Sequence, residues 1–119
     1  MHWNIRSDTP VYSQLVEHIK LAIISGEFPL GSRLPSVREL AAEAGVNPNT
    51  MQRALAELER EGFVQTQRTL GRTVTEDLGR IAEEKRRFAH AAVRTFFASM
   101  QRLGYDRASA MTLIENEET

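Results

Sequence analysis

The sequence predicts a mainly α chain with a small β-hairpin: three short helices and the hairpin, then one long and one short helix. Three observations carry this. Apolar residues recur at helical spacing in five stretches. Four of those stretches close on a glycine, Gly26, Gly45, Gly62 and Gly104. Between Phe63 and Thr75 the pattern changes to two short strand-like runs joined by a polar tip.

Taken in order, Trp3 and Ile5 alternate with polar neighbours and suggest a short extended arm. Thr9-Pro10 reads as a helix start, with Thr9 as N-cap and Pro10 in the first helical position. Val11, Leu15, Val16, Ile19, Ala22 and Ile23 then form one apolar stripe over a helix at about 10–25. A turn-rich connection, Glu27 to Ser32, leads to Ser36 and Glu39, whose spacing is that of a capping box. The second helix covers about 36–44, with Val37, Leu40 and Ala41 inward. After Gly45, Asn47 offers a cap and Pro48 a first helical residue. The third helix, about 48–61, buries Met51, Ala54, Leu55 and Leu58. Phe63–Gln67 and Arg72–Thr75 are the expected strands, with 68–71 as the tip. Glu76 to Leu103 reads as one long helix, about 38 Å at 1.5 Å per residue. Asp106 caps a shorter helix at about 107–115, and an acidic tail follows. The expected domains are 1–75 and 76–119.

Composition narrows the function classes. With 119 residues there is room for one or two small units. The absence of cysteine excludes a disulfide framework, a thiolate metal site and a cysteine nucleophile. His2, His18 and His90 lack metal-ligand spacing, so no metal and no cofactor is expected. No nucleophile–base pair, phosphate-cradling loop or carboxylate pair marks an enzyme. No apolar run reaches membrane-spanning length, and the N-terminus has no signal-peptide pattern; a cytoplasmic protein without membrane partners is the expectation. The net charge of −1 is not the basic balance usual for a nucleic-acid binder. The local field of a few arginines can outweigh it.

Two short helices joined through Gly45 make a helix-turn-helix candidate, and the hairpin directly after them gives the order of a winged helix. Pro10–Leu15, Gly26–Ala41, Val46–Thr50 and Ala54–Gly62 together resemble the DNA-binding domain of the GntR family, and the small C-terminal part is similar to its YtrA subfamily. The resemblance implies a bacterial transcriptional regulator, a repressor, that binds a palindromic operator in double-stranded DNA as a homodimer. It also leaves room for a small-molecule effector.

The DNA contacts expected on this basis fall in four places. Ser36 and Arg38 stand at the start of the second helix, where amide ends and a hydroxyl suit phosphate. Arg38 matches a DNA-contacting arginine of the family. Pro48, Asn49, Thr50, Gln52 and Arg53 open the third helix, which would lie in the major groove. Amide side chains pair with adenine and arginine with guanine. Many relatives carry arginine at the positions of Pro48 or Gln52, so the preferred bases should differ here. Asn47 reads better as a cap than as a base contact. In the wing, Gly71 and Arg72, with Arg68 nearby, suit phosphate or a narrow minor groove, although this tip is leaner in glycine than the family pattern and lacks its aromatic. Tyr12 and Arg33 complete the set, each balanced between a phosphate contact and a structural role.

Ile81, Phe88, Ala92, Phe96, Phe97, Met100 and Leu103 fall near one face of the long helix. One short helix cannot cover that face, which points to a homodimer. Two other readings stay open: a winged-helix protein–protein adaptor, and a metabolite-sensing module without DNA binding.

Overall fold

The computed structural model describes residues 3–117. The elements are α1 (Val11–Ile24), α2 (Val37–Ala44), α3 (Pro48–Arg60), β1 (Val64–Gln67), β2 (Gly71–Val74), α4 (Leu78–Arg102) and α5 (Arg107–Asn116). Two compact units result, Met1–Ala82 and Glu83–Thr119.

In the first unit, α3 packs on both α1 and α2. The apolar stripes meet in one core: Leu15, Ile19, Leu40, Met51, Leu55, Leu58 and Val74 are closed to solvent or nearly so. Each such side chain contributes about 1.5–3 kcal/mol by leaving water. Trp3 and Ile5 pack against this core from a segment without regular structure, and the Trp3 ring tilts against His18 at 5.6 Å.

The caps of α2 and α3 follow the sequence expectation. Ser36 Oγ accepts from the Glu39 amide at 3.1 Å, and the Ser36 amide donates back to Glu39 Oε1 at 3.2 Å. Ser36 is therefore the cap, and α2 begins at Val37. The Asn47 side chain accepts from the Asn49 amide at 2.8 Å, with Pro48 in the first turn. Gly45 closes α2 at φ +72°, where a side chain would be strained.

The start of α1 differs from the expectation. Pro10 is extended (ψ 133°) and occupies the cap position, so the helix begins at Val11 and Thr9 does not cap it. The cause is Gln14, a buried amide that folds back on the preceding segment. Its Nε2 donates to the carbonyls of Arg6 at 2.7 Å and Thr9 at 3.1 Å, while its Oε1 accepts from the Arg6 amide at 2.7 Å. This clamp holds residues 6–9 outside the helix.

β1 and β2 pair antiparallel, from Val64↔Val74 to Gln67↔Gly71. The connection before α2 adds an edge to them. Arg33 bridges Thr73, the Leu34 amide donates to Arg72 O at 2.9 Å, and the Val74 amide to Ser32 O at 2.9 Å. β2 thus lies between β1 and residues 32–34.

The long helix starts at Leu78 rather than Glu76 because Asp77 Oδ1 accepts from the Arg80 amide at 3.1 Å and caps it. The sequence places a boundary after Thr75; the first turn of α4, through Ile81, packs with the unit before it. Ile81 is accordingly half-buried against that core, which corrects its assignment to an association face. Arg80 also donates to Glu61 O at 2.9 Å, tying α4 to the end of α3.

In the second unit, Asp106 caps α5 by accepting from the Ser109 amide at 2.8 Å, which holds its carboxyl below the usual range. Among its described residues only Glu84 and Ala110 are buried.

Candidate nucleic-acid interface

Residue burial along α3 separates its two faces. Met51, Ala54, Leu55 and Leu58 point into the core, whereas Pro48, Asn49, Gln52 and Arg53 are exposed and Thr50 is half-buried. The amino-terminal end of α3 therefore stands in solvent. Its first turn contains no acidic side chain, so the partial positive charge of the helix end is not neutralised locally.

Arg38 and Ser36 are exposed at the start of α2. The Ser36 hydroxyl uses its oxygen as an acceptor in the capping box and keeps its proton to donate outward. Glu39 is held below the usual carboxylate range, chiefly by the Ser36 amide, and stays ionised.

The arginines of the first unit divide into two sets. Arg6, Arg60, Arg72 and Arg80 are each paired with a carboxylate, of Asp8, Glu57, Glu59 and Asp77. Arg33, Arg38, Arg53 and Arg68 are exposed and, among the described residues, form no ion pair. These four sit at the wing edge, the α2 start, α3 and the wing tip. A chain of net charge −1 thus presents arginines outside any close ion pair where the sequence reading expects DNA, although Arg33 lies near enough to Glu39 to help lower its carboxyl.

Arg72 behaves differently from the expectation for a wing contact. Its side chain is only 22% exposed, and its Nε lies 3.6 Å from Glu59 Oε1, which also accepts from Thr66 Oγ1 at 2.9 Å. Arg72 and Thr66 fasten the hairpin to α3. Arg68, Leu70 and Gly71 remain exposed at the tip. Tyr12 is half-buried on α1 with the Arg53 guanidinium stacked over its ring, Cζ 3.7 Å from the centroid. The Glu59–Arg72 and Tyr12–Arg53 contacts leave no trace in the sequence pattern, because both join residues far apart along the chain. Among the described residues no group of three or more acidic, His or Cys side chains is placed to hold a metal ion, and no helix is long and apolar enough to cross a membrane.

A helix-turn-helix with an exposed second helix and a hairpin wing defines the class, a DNA-binding regulator fold. Comparison with known proteins gives the family. The profile of bacterial regulatory proteins, gntR family, matches residues 11–74, and the chain belongs to the GntR family. It is 36% identical over 99 residues to the HTH-type transcriptional regulator YhcF of Bacillus subtilis, covering 83% of this chain and 82% of that one. It is 44% identical over 72 residues to the transcriptional repressor YtrA of the same organism, covering 60% of this chain and 55% of YtrA. Among solved structures, a GntR family regulator from Listeria monocytogenes superposes with TM-score 0.82 at 35% identity, over 96% of this chain and all of that one. The DNA-binding domain of AraR in complex with operator ORE1 superposes with TM-score 0.53 at 25% identity, over 63% of this chain and 94% of that one. The chain is a YtrA-like GntR transcriptional regulator and not an enzyme.

Proposed function

We propose that the chain is a repressor that binds a palindromic operator as a homodimer, with α3 in the major groove. The observation that carries this reading is the exposed amino-terminal end of α3, with Asn49, Gln52 and Arg53 directed away from the core. Arg38 and Ser36 hold phosphate at the start of α2. Pro48, Asn49, Thr50, Gln52 and Arg53 meet base edges. Arg33, Gly71 and the wing tip follow the backbone beside them, with Arg72 fixing the wing's attitude. Arg33, Arg38, Arg53 and Arg68, in no ion pair among the described residues, suit the phosphates of a polyanion.

The dimer reading rests on the second unit. Val93, Phe96, Leu103, Tyr105, Met111, Leu113 and Ile114 are exposed there, and two helices with so small a buried core have apolar surface left to cover. Phe88, Ala92, Phe96, Phe97, Met100 and Leu103 are the association residues. An open groove of about 970 Å³, lined in part by His90, Val93, Phe97, Tyr105 and Arg107, is the place for a small effector.

Duplex binding measured across a salt series tests the reading. Affinity should fall steeply with salt, and Arg38→Ala should weaken binding to every sequence and flatten the slope by about one. Gln52→Ala should change preference among sites by about 1–3 kcal/mol per base contact. Affinity indifferent to salt and to both substitutions refutes the reading. Phe96→Asp with Leu103→Asp should give a monomer by light scattering, and a persistent dimer removes the association face.

A further inference from the structure

The stack of Arg53 on Tyr12 carries an inference about how the operator is read; it rests on the proposed function above. Tyr12 lies in the first turn of α1, and Arg53 lies one turn beyond Asn49 on α3. Pro10, Val11, Tyr12, Asn49, Thr50 and Arg53 line one shallow depression between the two helix starts. The backbone of Tyr12 is held firmly, because Gln14, two residues on, is buried and clamps the preceding segment through three hydrogen bonds.

The geometry of the stack decides what each group contributes. An exposed arginine otherwise samples many rotamers, and ordering it on binding costs entropy. A ring face 3.7 Å from the guanidinium carbon holds the group in one place and narrows the rotamers open to it. With no ion pair to a carboxylate among the described residues, the N–H fork of Arg53 is left for the O6 and N7 atoms of guanine, which it matches. Among the described residues Arg53 has no carboxylate within ion-pair distance, and the Tyr12 ring is the group it rests on.

We propose that Tyr12 is a positioning residue that pre-orients the Arg53 guanidinium for a base edge, acting through its ring face and not through a hydroxyl contact to phosphate. The tyrosine of the first helix thereby sets specificity at the base pair that Arg53 reads.

The test uses the full chain and duplexes recovered from a random pool by the unmodified protein. Tyr12→Phe keeps the ring and should leave affinity and base preference unchanged. Tyr12→Leu should weaken binding to the selected site by about 3- to 30-fold and relax preference at the Arg53 position, with little change on non-specific DNA. In an Arg53→Ala background, Tyr12→Leu should have no further effect. Thermal unfolding of each variant checks that the fold is intact, and relaxed preference at one base pair is not a result that loss of stability produces. A loss with Tyr12→Phe equal to that with Tyr12→Leu overturns the proposal in favour of a hydroxyl contact. An undiminished Tyr12→Leu effect in the Arg53→Ala background overturns it as well. In both cases binding that still weakens on Arg38→Ala leaves the repressor reading standing. No salt-dependent duplex binding by the unmodified protein brings both down.

Discussion

Gly62 ends α3 where the chain turns into β1, and two separate constraints meet there. Its φ is +86°, and a Cβ would stand 2.9 Å from Arg80 Nε and 3.0 Å from Arg80 Cζ. Gly45 shares the first constraint, at φ +72°, but has nothing within 4 Å of its Cβ position. An L-residue in this region costs about 1–2 kcal/mol, offset by about 0.4–1 kcal/mol because alanine stiffens the unfolded chain. Gly45→Ala should therefore destabilise by about 1 kcal/mol. Gly62→Ala must also shift the far end of the flexible Arg80 side chain and loosen its exposed hydrogen bond to Glu61 O at 2.9 Å, a further cost of about 0.5 kcal/mol. For a unit of this size, about 4–8 °C of Tm is lost per kcal/mol. Gly62→Ala should thus melt about 2–4 °C further below the unmodified protein than Gly45→Ala. Thermal unfolding followed by circular dichroism gives both values, and the Arg80→Ala background separates the two constraints. There, Gly62→Ala should cost no more than Gly45→Ala. Equal losses at the two glycines, or an undiminished loss once Arg80 is shortened, would refute the reasoning.

Ser36→Ala removes the capping box and should cost about 1 kcal/mol, with Ser36→Gly costing only a few tenths; urea midpoints distinguish them. The carboxyl of Glu57 is lowered from 4.5 to about 2, chiefly by the hydrogen bond it accepts from Arg60. Because the folded value lies below the unfolded one, its stabilisation is complete above pH 4.5 and is lost as pH falls toward 2. Glu57→Gln should therefore lose less stability than the unmodified chain between pH 5 and pH 2.5, and identical losses would remove Glu57 from the account. Gln14→Leu should release residues 3–9; because Trp3 is the single tryptophan, its emission should move to the red while α1 stays helical. An unshifted spectrum would show that the clamp is not what holds the arm.

Much of the fold was legible because its signals are local. Ser36 with Glu39, and Asn47 with Pro48, are decided within four residues, and both starts appear where the spacing puts them. Thr9-Pro10 carries a similar local signal that does not decide the helix start, because the Gln14 amide one turn further on competes for the same backbone. The burial of α3 was readable from its period, and so was the exposure of its other face. What was not readable depends on contacts between distant segments. The Glu59 partner of Arg72 and the core beneath Ile81 both come from residues well removed along the chain. Tyr12 showed two plausible uses in the sequence and a third, beneath Arg53, in space.

The wing is braced along both sides of β2, by β1 and by residues 32–34, and bolted to α3 through Arg72 and Thr66. Its extremity, from Arg68 to Leu70, is a short exposed loop beyond that bracing. Substitutions or short insertions confined to this loop cost the scaffold little. Descendants of such a chain are thus free to drift in the sequences they favour while keeping an unaltered frame.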